Sequence, residues 1–304
     1  MAGQRWLGTE GEAGASRGIQ LGSAGVRLAT IRTGDGTRAA RVEADSVLVL
    51  QATDVRALLE SAEESGLDAL GRLEPVAELS LAEASFAPVV LRPSKIVCVG
   101  MNYRSHIAEM SRELPSHPTL FAKFASSLLG PYDDLVLPSV SRAVDWEVEL
   151  GLVIGRRTWR ATEEQARRSI AGFTVVNDIS MRDWQNRTTQ YLQGKAFDAS
   201  TPAGPVLVTG DEIGEAADLE LRCEVDGVVM QRGRSSDLLF GPAEVVSYVS
   251  QFAALCPGDL IATGTPAGVG AGRSPQVFLQ VGQSVSAFVE GVGSCTNHCV
   301  ADPG

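Results

Sequence analysis

The sequence predicts a strand-rich α+β fold, and three observations support this prediction. Of 304 residues, 44% are hydrophobic and 21% are charged, which is enough apolar material for a sizeable core. Short apolar runs with many β-branched residues recur along the chain, separated by glycine and proline. Segments with helical periodicity are few, whereas a doubly wound sheet would alternate strands and helices regularly.

The first third of the chain predicts a small β-rich domain. Residues 1–25 are rich in Gly, Ala, Ser and Glu, and we expect them to be flexible. Two strand-like runs joined by a Gly-Asp-Gly turn follow, and a helix is predicted over Thr53–Glu64 with Thr53 as its N-cap. Prolines near residue 90 indicate a linker. We therefore place an N-terminal domain at residues 26–90 and a second domain at residues 91–304.

The second domain predicts many strands and few helices. The predicted strands are Ile96–Val99, Trp146–Ile154, Phe173–Val176, Val206–Val208, Leu219–Val225, Leu260–Ala262 and Val285–Val289. The predicted helices are Ser105–Arg112, Thr162–Ile170 and Pro242–Phe252.

Charge and cysteine content narrow the class of protein. The net charge of −11 argues against binding to nucleic acid or to anionic lipid, both of which need a basic face. No apolar run approaches the roughly 20 residues of a membrane span, and the N-terminus lacks a secretory segment. Five cysteines fit a reduced cytoplasmic compartment. Cys295, His298 and Cys299 lack a second ligand pair for zinc, so we expect core-facing thiols in the last strand.

The acids Asp145, Glu147 and Glu149 alternate within a strand-like segment. Side chains alternate between the two faces of a strand, so the acids are predicted to share one face. A second acid-bearing strand ends in Asp178, directly after an apolar run. Carboxylates from two neighbouring strands would form an oxygen site for Mg²⁺ or Mn²⁺. The alternative for the acidic strand alone is a solvated sheet edge.

A candidate general base follows the first strand of the second domain. His106 and Glu109 are three residues apart, so they are neighbours on a helix. A carboxylate beside an imidazole raises its basicity and orients it, as a general base requires. The alternative is a satisfied surface pair.

Two cations are candidates for holding an anionic group. Lys195 follows a polar loop, and Arg182 follows Asp178, with Gln185 three residues later. Either cation could hold a carboxylate or a developing oxyanion, although each could also be an ordinary solvated side chain. The glycine-rich turn at residues 263–270 lacks the Gly-Lys-Ser/Thr of a P-loop and precedes no helix, which disfavours a nicotinamide oxidoreductase. We expect this turn to line a pocket.

Six ordered blocks over residues 95–300 give the chain its resemblance to a known family. The blocks are Lys95-Ile-Val-Cys-Val-Gly-Met-Asn-Tyr103, Phe121-Ala-Lys-Phe-Ala-Ser-Ser127, Asp145-Trp-Glu-Val-Glu-Leu150, Gly172-Phe-Thr-Val-Val-Asn-Asp-Ile-Ser-Met-Arg-Asp183, Gly194-Lys-Ala-Phe-Asp198 and Pro257-Gly-Asp-Leu-Ile-Ala-Thr-Gly-Thr-Pro-Ala-Gly-Val-Gly270. In these blocks the chain resembles the fumarylacetoacetate hydrolase family, in particular its members with a small N-terminal domain.

The resemblance implies a mixed, β-roll-like catalytic domain, a homodimer, and one Mg²⁺ or Mn²⁺ per subunit. By position in the blocks, the family's metal ligands are matched by Glu147, Glu149 and Asp178. Its water-activating pair is matched by His106 and Glu109, and its cation near the oxyanion by Lys195. Its substrate-binding positions are matched by Arg182, Gln185 and Thr265.

The implied reaction is hydrolysis of the C3–C4 bond of a 2,4-dioxo acid, such as an acylpyruvate, to pyruvate or a related 2-oxo acid and a carboxylic acid. His106, oriented by Glu109, would take the proton of the attacking water. An oxaloacetate-type decarboxylase and a 2-hydroxydienoate isomerase are alternatives, because both share an enolate and need no attacking water. An inactive metal-binding relative is the non-enzymatic alternative. The His106–Glu109 pair favours hydrolysis of a small-molecule 2-oxo acid.

Overall fold

The computed structural model describes residues 25–63 and 67–304. These residues form a strand-rich α+β fold, as the sequence predicts. The predicted flexible segment, residues 1–25, lies outside the described residues except for Gly25.

Strands and helices are introduced here in chain order. The strands are β1 (Arg27–Thr33), β2 (Gly36–Glu43), β3 (Ser46–Val49), β4 (Ala77–Ser80), β5 (Ser85–Phe86), β6 (Ile96–Gly100), β7 (Thr119–Lys123), β8 (Leu128–Leu129), β9 (Leu135–Leu137), β10 (Val144–Asp145), β11 (Val148–Ile154), β12 (Ile170–Asn177), β13 (Ser180–Met181), β14 (Thr201–Val208), β15 (Glu220–Val225), β16 (Val228–Arg234), β17 (Leu260–Ala262), β18 (Ser284–Val289) and β19 (Gly293–Ala301). The α-helices are α1 (Val55–Ala62), α2 (Arg104–Glu109), α3 (Glu163–Ser169), α4 (Arg182–Gln185), α5 (Leu192–Lys195), α6 (Gly210–Ile213) and α7 (Pro242–Ser250).

The largest sheet has twelve strands, and its main path runs β4-β3-β2-β1-β14-β12-β11-β17-β6-β7. β17 pairs with β6 in parallel, whereas β11, β12 and β14 pair with one another antiparallel. β1 pairs with β14, so the strands of the predicted N-terminal domain continue the sheet of the second domain. The predicted boundary near residue 90 stays a prediction.

A second sheet of five strands, in the order β16-β15-β18-β19-β9, covers one face of the large sheet. Apolar side chains of β11 pack there against those of β15 and β18. On the other face, α1 packs its buried Val55, Leu58 and Leu59 against the large sheet. β11 therefore lies between two apolar layers and is buried along its whole length. A solvated edge strand, the alternative reading of this acidic segment, is excluded.

Two differences from the sequence-based elements arise where a side chain accepts a backbone hydrogen bond. The N-cap of α1 is Asp54 rather than Thr53, because the Asp54 carboxylate accepts a hydrogen bond from the Ala57 amide. The predicted strand over 146–154 breaks at Trp146 and Glu147. Their amides donate to the side chains of Asp145 and Asn177 rather than to a ladder partner.

The sequence does not predict β7 or β16, and it predicts β19 only as a last strand that carries Cys295 and Cys299. β19 alternates buried and exposed residues over nine positions, but half of its side chains are polar. Cys295 and Cys299 are buried on one face of β19, whereas His298 is exposed on the other. The prediction of core-facing thiols is therefore confirmed.

Candidate active site and metal centre

Three buried carboxylates meet at the centre of the second domain. Glu147, Glu149 and Asp178 each place one oxygen within 4.8 Å of the others. β11 and β12 bring them together, because Val148 on β11 is paired with Asn177 on β12. Glu147 and Glu149 flank Val148 in the sequence, and Asp178 directly follows Asn177. The three residues are at most 6% exposed, so little water can solvate their charges.

Two of the predicted cations contact this carboxylate cluster. The Lys195 ammonium lies 2.8 Å from Asp178 Oδ2 and also donates to Glu147 Oε2. The Arg182 guanidinium lies 2.6 Å from Glu147 Oε1 and 2.8 Å from Asp145 Oδ2. Both cations are therefore counter-charges of buried acids rather than solvated side chains.

A third cation, Lys123, was assigned no role from the sequence. Its ammonium lies 2.5 Å from Asp178 Oδ1, and both side chains are fully buried. Asp178 thus has one lysine on each oxygen. The sequence feature that could have identified Lys123 is its position at the end of an apolar run. A charged side chain that is buried there needs a partner of opposite charge.

The surrounding charges move the pKa values of the cluster in opposite directions. Burial raises the pKa of Asp178, but Lys123 and Lys195 outweigh burial and lower it to about 2. Burial, together with the Asp178 and Glu147 charges, raises the pKa of Glu149 well above its usual value. Burial lowers the pKa of Lys195, but Asp178 and Glu147 outweigh that effect and raise it overall. Glu149 is the carboxylate of the cluster with the least compensated charge.

The donor set fits a divalent cation. Four buried acids, Asp145, Glu147, Glu149 and Asp178, face the buried Lys123 and Lys195 and the partly buried Arg182, so the group carries a net charge of −1 when all are ionised. Hard carboxylate oxygens are the ligands that Mg²⁺ and Mn²⁺ prefer. The raised pKa of Glu149 shows where additional positive charge would be stabilised.

Asp145 has a different role from its neighbours in the alternating run. Its carboxylate accepts hydrogen bonds from the amides of Gly270 at 2.7 Å and Ala271 at 3.0 Å, and it pairs with Arg182. Asp145 therefore fixes the glycine-rich turn to the cluster and is not one of the three converging ligands.

The structure brings His106 and Glu109 together on α2. His106 Nδ1 lies 2.9 Å from Glu109 Oε2, which leaves Nε2 as the nitrogen available to a substrate. The Gly268 amide donates to Glu109 Oε1 at 3.1 Å. The Gly264 amide of the same turn donates to Glu149 Oε2 at 2.8 Å. One backbone turn thus contacts both Glu109 of the His106–Glu109 pair and Glu149 of the carboxylate cluster. That this turn lines a pocket stays a prediction.

Gln185 and Thr265 are each hydrogen-bonded inside the site. Gln185 Oε1 accepts from Arg182 Nη1 at 2.9 Å. Thr265 Oγ1 donates to the Val148 carbonyl and accepts from Gln231 Nε2 at 2.8 Å. Gln231, which the sequence did not single out, also accepts from the Val148 amide at 3.0 Å. It joins β16 to β11 between the two glutamate ligands. Substrate contacts of Gln185 and Thr265 stay predictions.

Comparisons with known proteins agree with this arrangement. The family model described as fumarylacetoacetate (FAA) hydrolase, C-terminal, matches residues 95–300. A mitochondrial oxaloacetate tautomerase of Homo sapiens is 46% identical over 224 residues, which are 73% of this chain and 71% of the relative. A 2,4-didehydro-3-deoxy-L-rhamnonate hydrolase of Sphingomonas sp. (strain SKA58) is 42% identical over 223 residues, covering 72% and 78%.

The fold also matches solved structures. The crystal structure of 5-carboxymethyl-2-hydroxymuconate delta-isomerase from Mycobacterium smegmatis superposes with a TM-score of 0.76 at 32% identity, covering 91% of this chain and all of that one. Among the described residues, no helix is long and apolar enough to cross a membrane.

Proposed function

The chain belongs to the fumarylacetoacetate hydrolase family, and from that premise we propose that it catalyses proton transfer at C3 of a small 2-oxo acid with Mg²⁺ or Mn²⁺. Members of this family are enzymes that depend on a divalent metal. The observation that carries the proposal is the buried cluster of Glu147, Glu149 and Asp178 beside the turn that also holds Glu109. Our first candidate reaction is keto–enol tautomerisation of oxaloacetate, because a relative with 46% identity bears that name.

Each residue has a specific part in the proposed reaction. Glu147, Glu149 and Asp178 would hold the metal, which supplies Lewis acidity to the 2-oxo and carboxylate oxygens of the substrate. His106 Nε2 would take the proton from C3 while the 2-oxo oxygen gains a proton to give the enol, and the reverse transfer would give the keto form, because Glu109 holds Nδ1 and stabilises the imidazolium. Lys195 and Arg182 would bind the negative charge that develops on the substrate oxygens.

Hydrolysis of an acylpyruvate, the reaction implied by the sequence resemblance, is the second candidate. It is favoured by the hydrolase relative with 42% identity and by the His106–Glu109 pair, which can also take a proton from an attacking water. Decarboxylation of oxaloacetate and isomerisation of a 2-hydroxydienoate use the same enolate and stay open. The homodimer and the cytoplasmic location stay predictions, tested by sedimentation and by fractionation of cells.

Product analysis separates the candidates. The protein is incubated with oxaloacetate and, separately, with acetylpyruvate, in the presence of Mg²⁺, Mn²⁺ or EDTA. We would measure the decay of enol absorbance and quantify three products: CO₂, pyruvate and acetate. EDTA-sensitive acceleration of enol decay without CO₂ supports the tautomerase. If pyruvate and acetate are released from acetylpyruvate faster than oxaloacetate reacts, the protein is a hydrolase and not a tautomerase. Silence on both substrates contradicts both candidates and leaves a 2-hydroxydienoate isomerase, a larger substrate or an inactive metal-binding relative.

A further inference from the structure

The helix that carries His106 is capped by a residue from a distant part of the chain. The N-cap of α2 is Tyr103, which has no side-chain capping bond. Instead, Asp237 Oδ2 accepts a hydrogen bond from the Ser105 amide at 3.0 Å, across 132 residues. Ser105 is the second residue of α2, and the amide at that position is one that an N-cap side chain normally satisfies. Asp237 therefore caps the helix in place of Tyr103.

The contact with Asp237 continues a seam that fixes the chain entering α2. The Leu239 amide donates to the Asn102 carbonyl at 2.7 Å. The Asn102 side chain exchanges two hydrogen bonds with the backbone of Phe240, at 2.9 and 3.0 Å. Tyr103 forms an isolated bridge with Leu238. Residues 237–240 thus determine where α2 begins and in which direction it leaves the sheet.

α2 needs such support because it is short. It has six residues, whereas isolated helices below about 12 residues are marginal in water. Its C-terminal end is held by the hydrogen bond between Gly268 and Glu109. His106 is the third residue of the helix and lies between these two contacts, so its orientation depends on both.

We propose that Asp237 is a positioning residue for the His106–Glu109 pair. It acts through the Ser105 amide and does not touch the substrate. The proposal rests on the proposed function, in which His106 transfers a proton. Loss of the cap allows the first turn of α2 to open, and the imidazole then no longer points at the substrate carbon. The C-terminal end of α2 stays attached, because Gly268 still donates to Glu109. The carboxylate cluster is expected to stay in place, because β11 and β12 position it and neither strand contacts Asp237 through a hydrogen bond in the described residues.

Three variants separate geometry from charge. Asp237→Ala removes the acceptor, whereas Asp237→Asn keeps a carbonyl acceptor and removes only the charge. The matched control is Asp218→Ala. Asp218 accepts hydrogen bonds from Arg234 and Ser236 in the same turn, and among the described residues it forms no hydrogen bond with α2. All three variants are measured as the full-length protein.

Turnover is followed with oxaloacetate and Mn²⁺, and Mn²⁺ affinity is followed by calorimetry. We expect Asp237→Ala to lower kcat by about 10- to 100-fold, the range for a reacting group displaced by about 1 Å. KM and Mn²⁺ affinity are expected to change by less than about twofold. Asp237→Asn should restore most of kcat, and Asp218→Ala should match the parent. Equal kcat for Asp237→Ala and Asp218→Ala, or an Asn variant as slow as the Ala variant, overturns the proposal.

A second measurement needs no turnover. The chain has three histidines, so the His106 imidazole signals are assigned in an NMR spectrum by their loss in His106→Asn. Asp237→Ala should shift these signals, and Asp237→Asn and Asp218→Ala should leave them near the parent positions. If the parent fails to turn over oxaloacetate but the shift is seen, the proposed function fails and the positioning role stands. Unchanged His106 signals in Asp237→Ala overturn the positioning role. Should the Ala variant not fold, the Asn variant still tests it, because disturbed His106 signals in a folded Asn variant contradict positioning by a hydrogen bond.

Discussion

The carboxylate cluster and the helix α2 are two halves of one site that are held in different ways. Glu147, Glu149 and Asp178 lie on or next to paired central strands, buried and surrounded by charges of the opposite sign. His106 and Glu109 lie on a single short helix, with side chains 12% and 26% exposed. The helix is fixed mainly by hydrogen bonds from distant backbone and side-chain groups at its two ends.

This difference indicates how each half responds to substitution. Removing a cation that pairs with the cluster leaves a carboxylate buried without compensation, so folding stability is lost. Removing a contact of α2 exposes little apolar surface and leaves no buried charge without its partner. We therefore expect turnover to be lost while folding stability is retained. The predictions below test this separation, from the largest expected effect to the smallest.

Lys123→Met should destabilise the protein most. It leaves Asp178 with one lysine instead of two in a fully buried position, and breaking such a pair costs about 3–5 kcal/mol in the free energy of unfolding. Chemical denaturation in EDTA measures the effect. Arg168→Met is the control, because its ion pair with Glu164 is solvent-exposed and is worth less than about 1 kcal/mol. A loss below about 1 kcal/mol in Lys123→Met would show that the cluster tolerates an uncompensated charge.

Glu149→Gln should affect the metal and not the fold. Burial and the Asp178 and Glu147 charges raise the pKa of Glu149, so its negative charge is costly in the metal-free protein, and glutamine removes that charge with nearly the same side-chain shape. We expect the free energy of unfolding in EDTA to be unchanged or higher. Mn²⁺ affinity should fall by at least about 100-fold, the upper end of the effect known for partners outside the ligand shell. Calorimetry measures the Mn²⁺ affinity of the variant. An affinity equal to that of the parent would show that Glu149 is not a metal ligand.

Metal affinity should rise with pH in the parent. Below the raised pKa of Glu149, Mn²⁺ must displace a proton from that carboxyl, so affinity gains up to about tenfold per pH unit and levels off above the pKa. Folding of the metal-free protein has the opposite pH dependence. The metal-free protein is stabilised by protonated Glu149 at low pH, and this stabilisation is lost as pH rises through the folded-state pKa. Calorimetry in buffers of different ionisation enthalpy counts the released proton. Glu149→Gln should flatten the dependence, and an equal slope in both proteins assigns the proton to another group.

The sequence predicts the cluster better than the contacts that hold α2, and the reason is the range of the interactions. Glu149 and Asp178 follow from strand alternation and from an acid at the end of an apolar run, which are local patterns. The break at Glu147 depends on the Asn177 side chain, 30 residues away. Lys123 meets Asp178 across 55 residues and Asp237 meets α2 across 132 residues. These pairings exist only after the strands have been assembled, so no local pattern specifies them.

Gly268→Ala should give the smallest of these effects and acts on the other end of α2. Gly268 has φ of +104°, and a Cβ there would lie 2.3 Å from the Met230 carbonyl oxygen, so the turn must move away from Glu109. We expect kcat for oxaloacetate to fall by about tenfold, because the imidazole loses part of its orientation. Gly282→Ala is the matched control, since Gly282 has φ of +91° and no heavy atom within 4 Å of the added Cβ. Both variants carry a backbone strain of about 1 kcal/mol, and Gly268→Ala adds the clash with Met230, so its melting temperature should fall at least as far as that of the control. Only Gly268→Ala should lose turnover, and a control that loses as much would show that α2 responds to overall stability rather than to its end contacts.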